Sequence, residues 1–535
     1  MPIVKTRLSK QHQRWGLPAF GFLALASGIL MGLTVAPVEA WFLAWIALVP
    51  LWVLVASPAP RKTKLLSALL WGIGYHGIAL AWIAGVHPMM WMGVPWLASI
   101  AIALFCWAAI TLWGAVLVTS WAVGMTVFSQ RSGIARILIG VALWCGLESL
   151  WSLGPLYWTS LSYTQSPHNL VILHLGQLSG SLTVTAAIVA VNALLAEAWM
   201  KYEGSGIGGW GSGIKDQRAA IRVFASGCIL FVTLHLVGFG LYNRPLVQQP
   251  ETALRVGIIQ GNIPNTIKLY PEGLRRAIAG YTEGYLTLVD QGVEAVLTPE
   301  GALPFMWSEV LRTSFYSAVR EKGVTAWIGA FGEQGQSYTN SIFTLTEKGE
   351  FSRYDKVKLV PIGEYIPFEQ VLGGFIQRLS PLEARQVPGL PDQIFDTPFG
   401  RAIAVICYSS AFPEQVRYQA AAGGQFILSA ANNAHYSPSM PAQHHAQDTM
   451  RAIETERWAV RATNTGYSGI VDPHGRTLWI SDINTYELHA ETIYRRTTQT
   501  LYVRWGDWLT PLLLGLAVVF KLAEVYVSYP NSNAR

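Results

Sequence analysis

The sequence predicts a polytopic α-helical membrane bundle of eight spans joined to an α/β domain outside the bilayer. Three observations predict it. The chain is 51% hydrophobic and only 13% charged over 535 residues, too apolar for an ordinary soluble protein. Apolar runs near the ~20 residues that a hydrocarbon core requires fill the first 242 residues and recur near the end. Between them, over residues 243–506, short β-branched runs alternate with helical periodicity, the pattern of a single α/β domain.

The expected spans are Leu17–Val35, Ala40–Ala56, Leu65–Ala84, Trp96–Val118, Ile137–Leu153, Leu170–Ala196, Val223–Leu241 and Trp508–Val525. The first follows a basic leader (Lys5, Arg7, Lys10, Arg14) and reads as a retained signal anchor, because further spans follow it at once. Loops 57–64, 126–136 and 201–222 carry Lys and Arg, whereas loops 85–95 and 154–169 carry none. Positive-inside placement then sets both termini in the cytoplasm and residues 243–506 on the far side. The division is 1–242 for seven spans, 243–506 for the outer domain, and 507–535 for a last span and tail. Polar residues in or near the spans include His76, Glu148, His174 and Asn192, suited to a bundle interior or to helix–helix hydrogen bonds. Residues 204–213 form a glycine-rich linker. No internal repeat points to a transporter, and no basic stripe with interleaved aromatics points to nucleic acid.

In the outer domain, strand Leu254–Gln260 precedes helix Gly273–Gln291. Strand Ala295–Thr298 runs into Pro299-Glu300, followed by helix Ser308–Lys322 and strands Ala326–Phe331 and Ser341–Leu345. The apolar run Ile403–Ile406 delivers Cys407 to a strand-to-helix turn, where backbone N–H groups favour a thiolate and an oxyanion. Helix Glu414–Ala422, strand Phe426–Ala430, helix Gln443–Arg461 and a hairpin of Gly466–Asp472 with Thr477–Ile480 complete the domain. Of the four cysteines, Cys106, Cys145 and Cys228 lie in apolar runs. Cys407 is therefore the single thiol of the polar region and a candidate reactive group. Glu300, ending an apolar strand, is placed for general-base work. Lys356 and Glu364, in YDKVKLVPIGEYIP, can pair and offer positive charge to an oxyanion. The apolar loop 368–390 reads as a lid, an interfacial segment or ordinary packing. His444 and His445 are adjacent on a helix, diverge, and suit structural roles. No CxxC or HExxH metal spacing occurs, and no cofactor is expected.

Glu, Lys and Cys at successive strand ends resemble the nitrilase (carbon–nitrogen hydrolase) superfamily. TPEGALP, YDKVKLVPIGEYIP, ICYSSAFPE, ATNTGYSGIVDPHGR and TLYVRWGDW resemble, more specifically, the bacterial apolipoprotein N-acyltransferases. The resemblance implies an αββα sandwich between the seventh and eighth spans. It also implies Cys407 as nucleophile, Glu300 as base and Lys356 as oxyanion stabiliser, with Glu364 and the Tyr408 N–H in support. The implied reaction moves an acyl chain from a membrane phospholipid, through a Cys thioester, to the α-amino group of a diacylated lipoprotein in the bacterial inner membrane. Ser409 stands where that family usually has Glu, and Asn433 and His435 replace Asp and Trp of its SNDAWFG-like turn. The competing readings are a membrane-tethered amidase acting on a soluble substrate, and a relative impaired by Ser409.

Overall fold

The computed structural model describes residues 17–128, 133–205, 213–366 and 385–528. The basic leader and most of both the glycine-rich linker and the 368–390 loop lie outside them. Among the described residues, helices Trp96–Val127, Gly133–Leu153, Ser181–Glu203 and Gln217–Tyr242 are long and apolar enough to cross a membrane by length and composition. These match four of the eight expected spans.

Two expected spans are interrupted, one of them among these four. Ala40–Ala56 is a 3-10 turn, Trp41–Trp45, followed by helix Val49–Ala56. Pro50 sits in the first turn of that helix, where its missing N–H is harmless, and so marks a start and not a middle. Leu170–Ala196 breaks at Gly180, whose φ of 79° ends one short helix before Ser181–Ser205 begins. The bundle core is built on Trp52, Trp71, Trp121 and Trp144, all fully buried and linked by ring contacts of 5.4–5.9 Å. Each indole N–H is satisfied, by Glu197, Ala47 O, Gly140 O and Glu148 in turn.

The outer domain is two sheets packed face to face. The first comprises β1 (Ala253–Gln260), β2 (Ala295–Leu297), β3 (Thr325–Gln334), β4 (Ser337–Thr346), β5 (Gly349–Asp355), β6 (Arg385–Gln386) and β13 (Glu487–Tyr494), in the order β13-β1-β2-β3-β4-β5 with β6 on β4. The second comprises β7 (Phe395–Thr397), β8 (Gly400–Ile406), β9 (Ile427–Ala431), β10 (Ala459–Thr463), β11 (Gly469–Val471) and β12 (Thr477–Ile480), in the order β12-β11-β10-β9-β8-β7. Side chains alternate along each strand. In β8, Ala402, Ala404 and Ile406 face the core between the sheets, while Ile403 and Val405 face helices Pro413–Ala421 and Ser439–Thr455. Helices Pro271–Asp290 and Ser314–Lys322 cover the other sheet through Tyr281, Tyr285, Leu288 and Phe315. The result is the four-layer αββα sandwich. Burial on both faces explains why the central strands read as unbroken apolar runs.

Several predicted boundaries are corrected. Ser308–Lys322 is two helices, because Thr313 accepts a hydrogen bond from the Tyr316 N–H at 3.3 Å and starts a new one. The helix expected at Gln443–Arg461 begins at Ser439 and stops at Thr455, where Glu456 turns left-handed (φ 56°). Ala459-Val460-Arg461 then belongs to β10, paired with β9.

The outer domain is tied to the bundle through named bonds. Gln443 Oε1 accepts from the indoles of Trp82 (3.2 Å) and Trp158 (2.8 Å), and its Nε2 donates to Ala36 O and Ala79 O, both at 2.9 Å. Ser166 donates to Ala446 O at 2.6 Å.

Candidate active site

Three strand ends converge on one cavity. Strand β8 ends at Ile406, and Cys407 follows in a left-handed conformation, φ 48°, opening a short 3-10 turn to Ala411. For a non-glycine residue that conformation is costly and persists only where surroundings enforce it. Strand β2 feeds Thr298-Pro299-Glu300. A Cβ on Gly329 of the neighbouring β3 would lie 2.0 Å from Pro299 O, so only glycine lets β3 approach the turn that aims Glu300. Strand β5 ends at Asp355, and Lys356 is pinned by its N–H to Asn340 O at 2.8 Å.

Lys356 is 1% exposed and its Nζ donates to both Glu300 Oε1 and Glu364 Oε1 at 2.8 Å. Glu300 Oε1 also accepts from Asn340 Nδ2 (2.8 Å), and Oε2 accepts from the Asn432 N–H (3.0 Å). Glu364 Oε2 accepts from the Val360 N–H at 2.7 Å. Burial alone would lower the Lys356 pKa, but the Glu300 and Glu364 carboxylates raise it well above the ordinary lysine range. Lys356 is thus a fixed cation. Burial first, and the Glu300 carboxylate second, push the Cys407 thiol up to about 12, against the pull of Lys356. At neutral pH the resting sulfur holds its proton, so a base must remove it.

Glu300, Lys356, Glu364, Cys407, Tyr408 and His435 all line a cavity of about 440 Å³. Its opposite wall is apolar and comes from the bundle, including Ile102, Phe105, Cys106 and Ala109 of helix Trp96–Val127. The Tyr408 phenol donates to Pro155 O at 2.8 Å and accepts from the Tyr157 N–H at 3.0 Å, tying the Cys407 turn to the 154–160 loop. Ser409 and Asn433 do not line the cavity. Ser409 is 1% exposed and its hydroxyl has no hydrogen-bond partner among the described residues. Asn433 lies behind the site, between His444 Nδ1 (3.2 Å) and Arg461 (3.3 Å).

Some site residues were not singled out from sequence. Asn340 is one, detectable only as an amide in an otherwise apolar strand. Lys268, which with Leu269 stands in the sequence where the resembled family has Lys-Trp, is buried, lines the cavity, and donates to Glu300 O at 3.1 Å. Burial lowers its pKa to about 8, partly offset by Glu300. Another group lies under Cys407. His444 Nε2 reaches Cys407 O at 2.9 Å and Ser410 Oγ at 3.1 Å, and Ser410 donates to Asp448 at 2.6 Å. Asp448 also accepts from Ser429 (2.6 Å) and pairs with Arg461. His445 diverges to Thr477 Oγ1 at 2.8 Å. Among the described residues no cluster of His, Cys, Asp and Glu has the arrangement of a metal site.

A buried Glu–Lys–Cys constellation on an αββα sandwich, facing an apolar cavity shared with a helical bundle, defines a membrane-embedded protein of the nitrilase class. Residues 255–500 match the carbon-nitrogen hydrolase family, and residues 27–194 match the apolipoprotein N-acyltransferase N-terminal domain. An apolipoprotein N-acyltransferase from Nostoc sp. is 64% identical over 511 residues, covering 94% of this chain and 100% of the relative. Namesakes from Synechocystis sp. and Gloeobacter violaceus are 47% and 35% identical, covering 92% and 97% of this chain and 99% and 97% of their own. The chain belongs to the apolipoprotein N-acyltransferase family.

Proposed function

We propose that this protein transfers an acyl chain from a membrane phospholipid to the N-terminal α-amino group of a diacylglyceryl-cysteine lipoprotein, through a thioester on Cys407. The observation that carries the reading is the cavity, with a charged catalytic floor in the outer domain and an apolar wall from a helix able to cross the bilayer. A soluble amide would not need that wall. An acyl chain does, because removing it from lipid costs about 0.8 kcal/mol per CH₂.

In the first half-reaction Glu300 takes the Cys407 proton and the sulfur attacks the ester carbonyl. Two of the three Lys356 N–H donors are held by Glu300 and Glu364, leaving one for the developing oxyanion. The Tyr408 N–H is the second donor. Collapse breaks the ester C–O bond, and Glu300 returns the proton to the departing glycerol oxygen, releasing a lysophospholipid. In the second half the α-amine attacks the thioester, Glu300 accepts its proton, and the Cys407 sulfur leaves and is reprotonated. Asp448, Arg461, Ser410 and His444 position the Cys407 carbonyl and its left-handed turn. Ser409, Asn433 and His435 act around this centre and not in it.

The surrounding frame is part of the same reading. Residues 1–242 make seven spans, 243–506 the catalytic domain on the outer face of a bacterial cytoplasmic membrane, and 507–535 the eighth span, with both termini cytoplasmic. The basic loops support this orientation, and the packing of helix Leu509–Ser528 against Gly133–Leu153 supports a place for the last helix in the bundle. The test is reconstitution with phospholipid vesicles and a diacylated lipopeptide. Wild type should yield the triacylated product and Cys407→Ala none. Full transfer by Cys407→Ala would refute the reading.

A further inference from the structure

A second groove, of about 590 Å³, lies against the catalytic cavity. The two share Val86, Trp91, Asn265 and His435 as lining residues, and these four residues lie at the partition between them. The Trp91 and His435 rings stack at 5.5 Å and 14°, and the far nitrogen of His435 accepts from Asn265 Nδ2 at 2.5 Å. On the groove side the walls come from segment 85–91 of the bundle and from four segments of the outer domain, at 262–266, 434–435, 465 and 484.

The chemistry of the groove differs from that of the cavity. Its polar lining includes Asn262, Thr266, Thr465 and Asn484, and it contains no Lys, Arg, Asp or Glu. None of those four side chains makes a hydrogen bond to another described residue, although their backbones are held, Asn262 N–H by Asn464 O at 2.7 Å and Asn484 N–H by Thr465 O at 2.9 Å. Asn262 and Asn484 both sit at positive φ, 49° and 57°. Amide and hydroxyl groups fixed on rigid turns and lacking internal partners suit the N–H and C=O groups of an extended polypeptide. They do not suit an acyl chain, and without a cation they do not suit a phosphate.

The reaction supplies an occupant for such a groove. The acceptor cysteine must bring its α-amine to Cys407 with its lipid chains in the apolar cavity. The polypeptide that continues from its carbonyl must then leave on a path outside the cavity that holds those chains, and the groove offers amide and hydroxyl groups among Val86, Pro88, Met90 and Pro264. We infer that the groove bounded by Asn262, Thr266, Thr465 and Asn484 binds the first residues of the acceptor polypeptide after its lipidated cysteine, across the Trp91–His435–Asn265 partition. This rests on the acyltransferase reading and adds a peptide subsite to it. Because the lining carries no Lys, Arg, Asp or Glu, the groove reads backbone more than sequence, which suits one enzyme serving many acceptors.

The test compares two acceptors with the full-length protein in phospholipid vesicles. One is diacylglyceryl-cysteine amide, and the other is the same cysteine extended by four Ser, Asn or Gly residues. In wild type kcat/KM should favour the extended acceptor at least fivefold. Thr266→Trp, at an exposed groove position, should bring that ratio to near 1. Thr266→Asp should favour an acceptor with Lys in its second and third positions over one with Asp there by at least threefold, a gain that misfolding cannot imitate. A wild-type ratio of 1, or variants that keep the wild-type ratio and show no charge preference, would overturn the subsite. No product from either acceptor would instead sink the acyltransferase reading, and the subsite with it.

Discussion

Lys356→Met removes the one cation that holds two carboxylates in a buried site. Its Nζ lies 2.8 Å from both Glu300 and Glu364 and is 1% exposed. Breaking a buried pair from one side typically costs about 3–5 kcal/mol, because the partner charge stays behind without compensation. Here two charges stay behind, facing each other across the space the ammonium occupied. The backbone N–H groups of Asn432 and Val360 and the Asn340 amide remain, each bond to a charged group contributing about 1.5–3 kcal/mol. They cannot keep both carboxylates ionised side by side, so the pair takes up a proton at neutral pH. The base then cannot accept the Cys407 proton, and general-base catalysis contributes about 10²–10⁴-fold. Loss of the oxyanion donor adds roughly 10²–10³. We therefore expect single-turnover acylation of Cys407, followed by mass spectrometry, to slow by at least 10³ at pH 7. It should recover with rising pH as the trapped proton leaves, while the wild-type rate changes little over the same range. A variant acylating within tenfold of wild type at pH 7, with a flat profile, would refute the reasoning.

Three further predictions concern what holds the site. Asp448 is held at about 2 against an ordinary 3.8: burial pushes it up, and Arg461, His444, Ser410 and Ser429 more than reverse that. A depressed carboxylate stabilises the fold above its unfolded pKa and loses that contribution as pH falls through the folded one. The shift of nearly two pKa units corresponds to roughly 2 kcal/mol, so Asp448→Asn should lower unfolding stability by at least that at pH 7. The gap to wild type should close from pH 4 towards 2, and a gap independent of pH would contradict the assignment. Gln443→Ala leaves two indole N–H groups and two carbonyls unpartnered at the junction of bundle and outer domain. At ~1–3 kcal/mol per unsatisfied group, the thermal midpoint in detergent should fall by several degrees, and an unchanged midpoint would show that the junction is held elsewhere. Ser409→Ala removes a buried hydroxyl with no partner, so stability should be unchanged or slightly higher. A loss above ~1 kcal/mol would reveal a bond not seen here.

The chemistry was legible in the sequence where it lies on single strands with both faces buried. Ile403–Ile406 and Ala295–Thr298 announce themselves as apolar runs, and Cys407 and Glu300 follow from where those runs stop. Lys356 was legible as a lysine entering an apolar stretch beside a Gly-Glu turn. Less local features were not. Asn340, Asp448 and Arg461 owe their roles to contacts across 40, 38 and 13 residues of chain, and side-chain periodicity carries no record of such pairings. The helix end at Thr455 was obscured because Trp458-Ala459-Val460 continues the apolar rhythm past a left-handed Glu456. Strands β5, β7 and β13 were missed because they are short or alternate with polar residues at an edge. Apolar run lengths expect eight spans, yet Pro50 and Gly180 interrupt two of them in ways that hydropathy averages over.

The central claim is that Cys407 carries the acyl chain between donor and acceptor. Intact-protein and peptide mass spectrometry after exposure to phospholipid alone tests it most directly. The account predicts one added acyl group on the peptide containing Cys407, labile to hydroxylamine and discharged on adding the diacylated lipopeptide. It predicts no such adduct in Cys407→Ala. An acyl group on any other residue, or a triacylated product formed without the thioester, would contradict it.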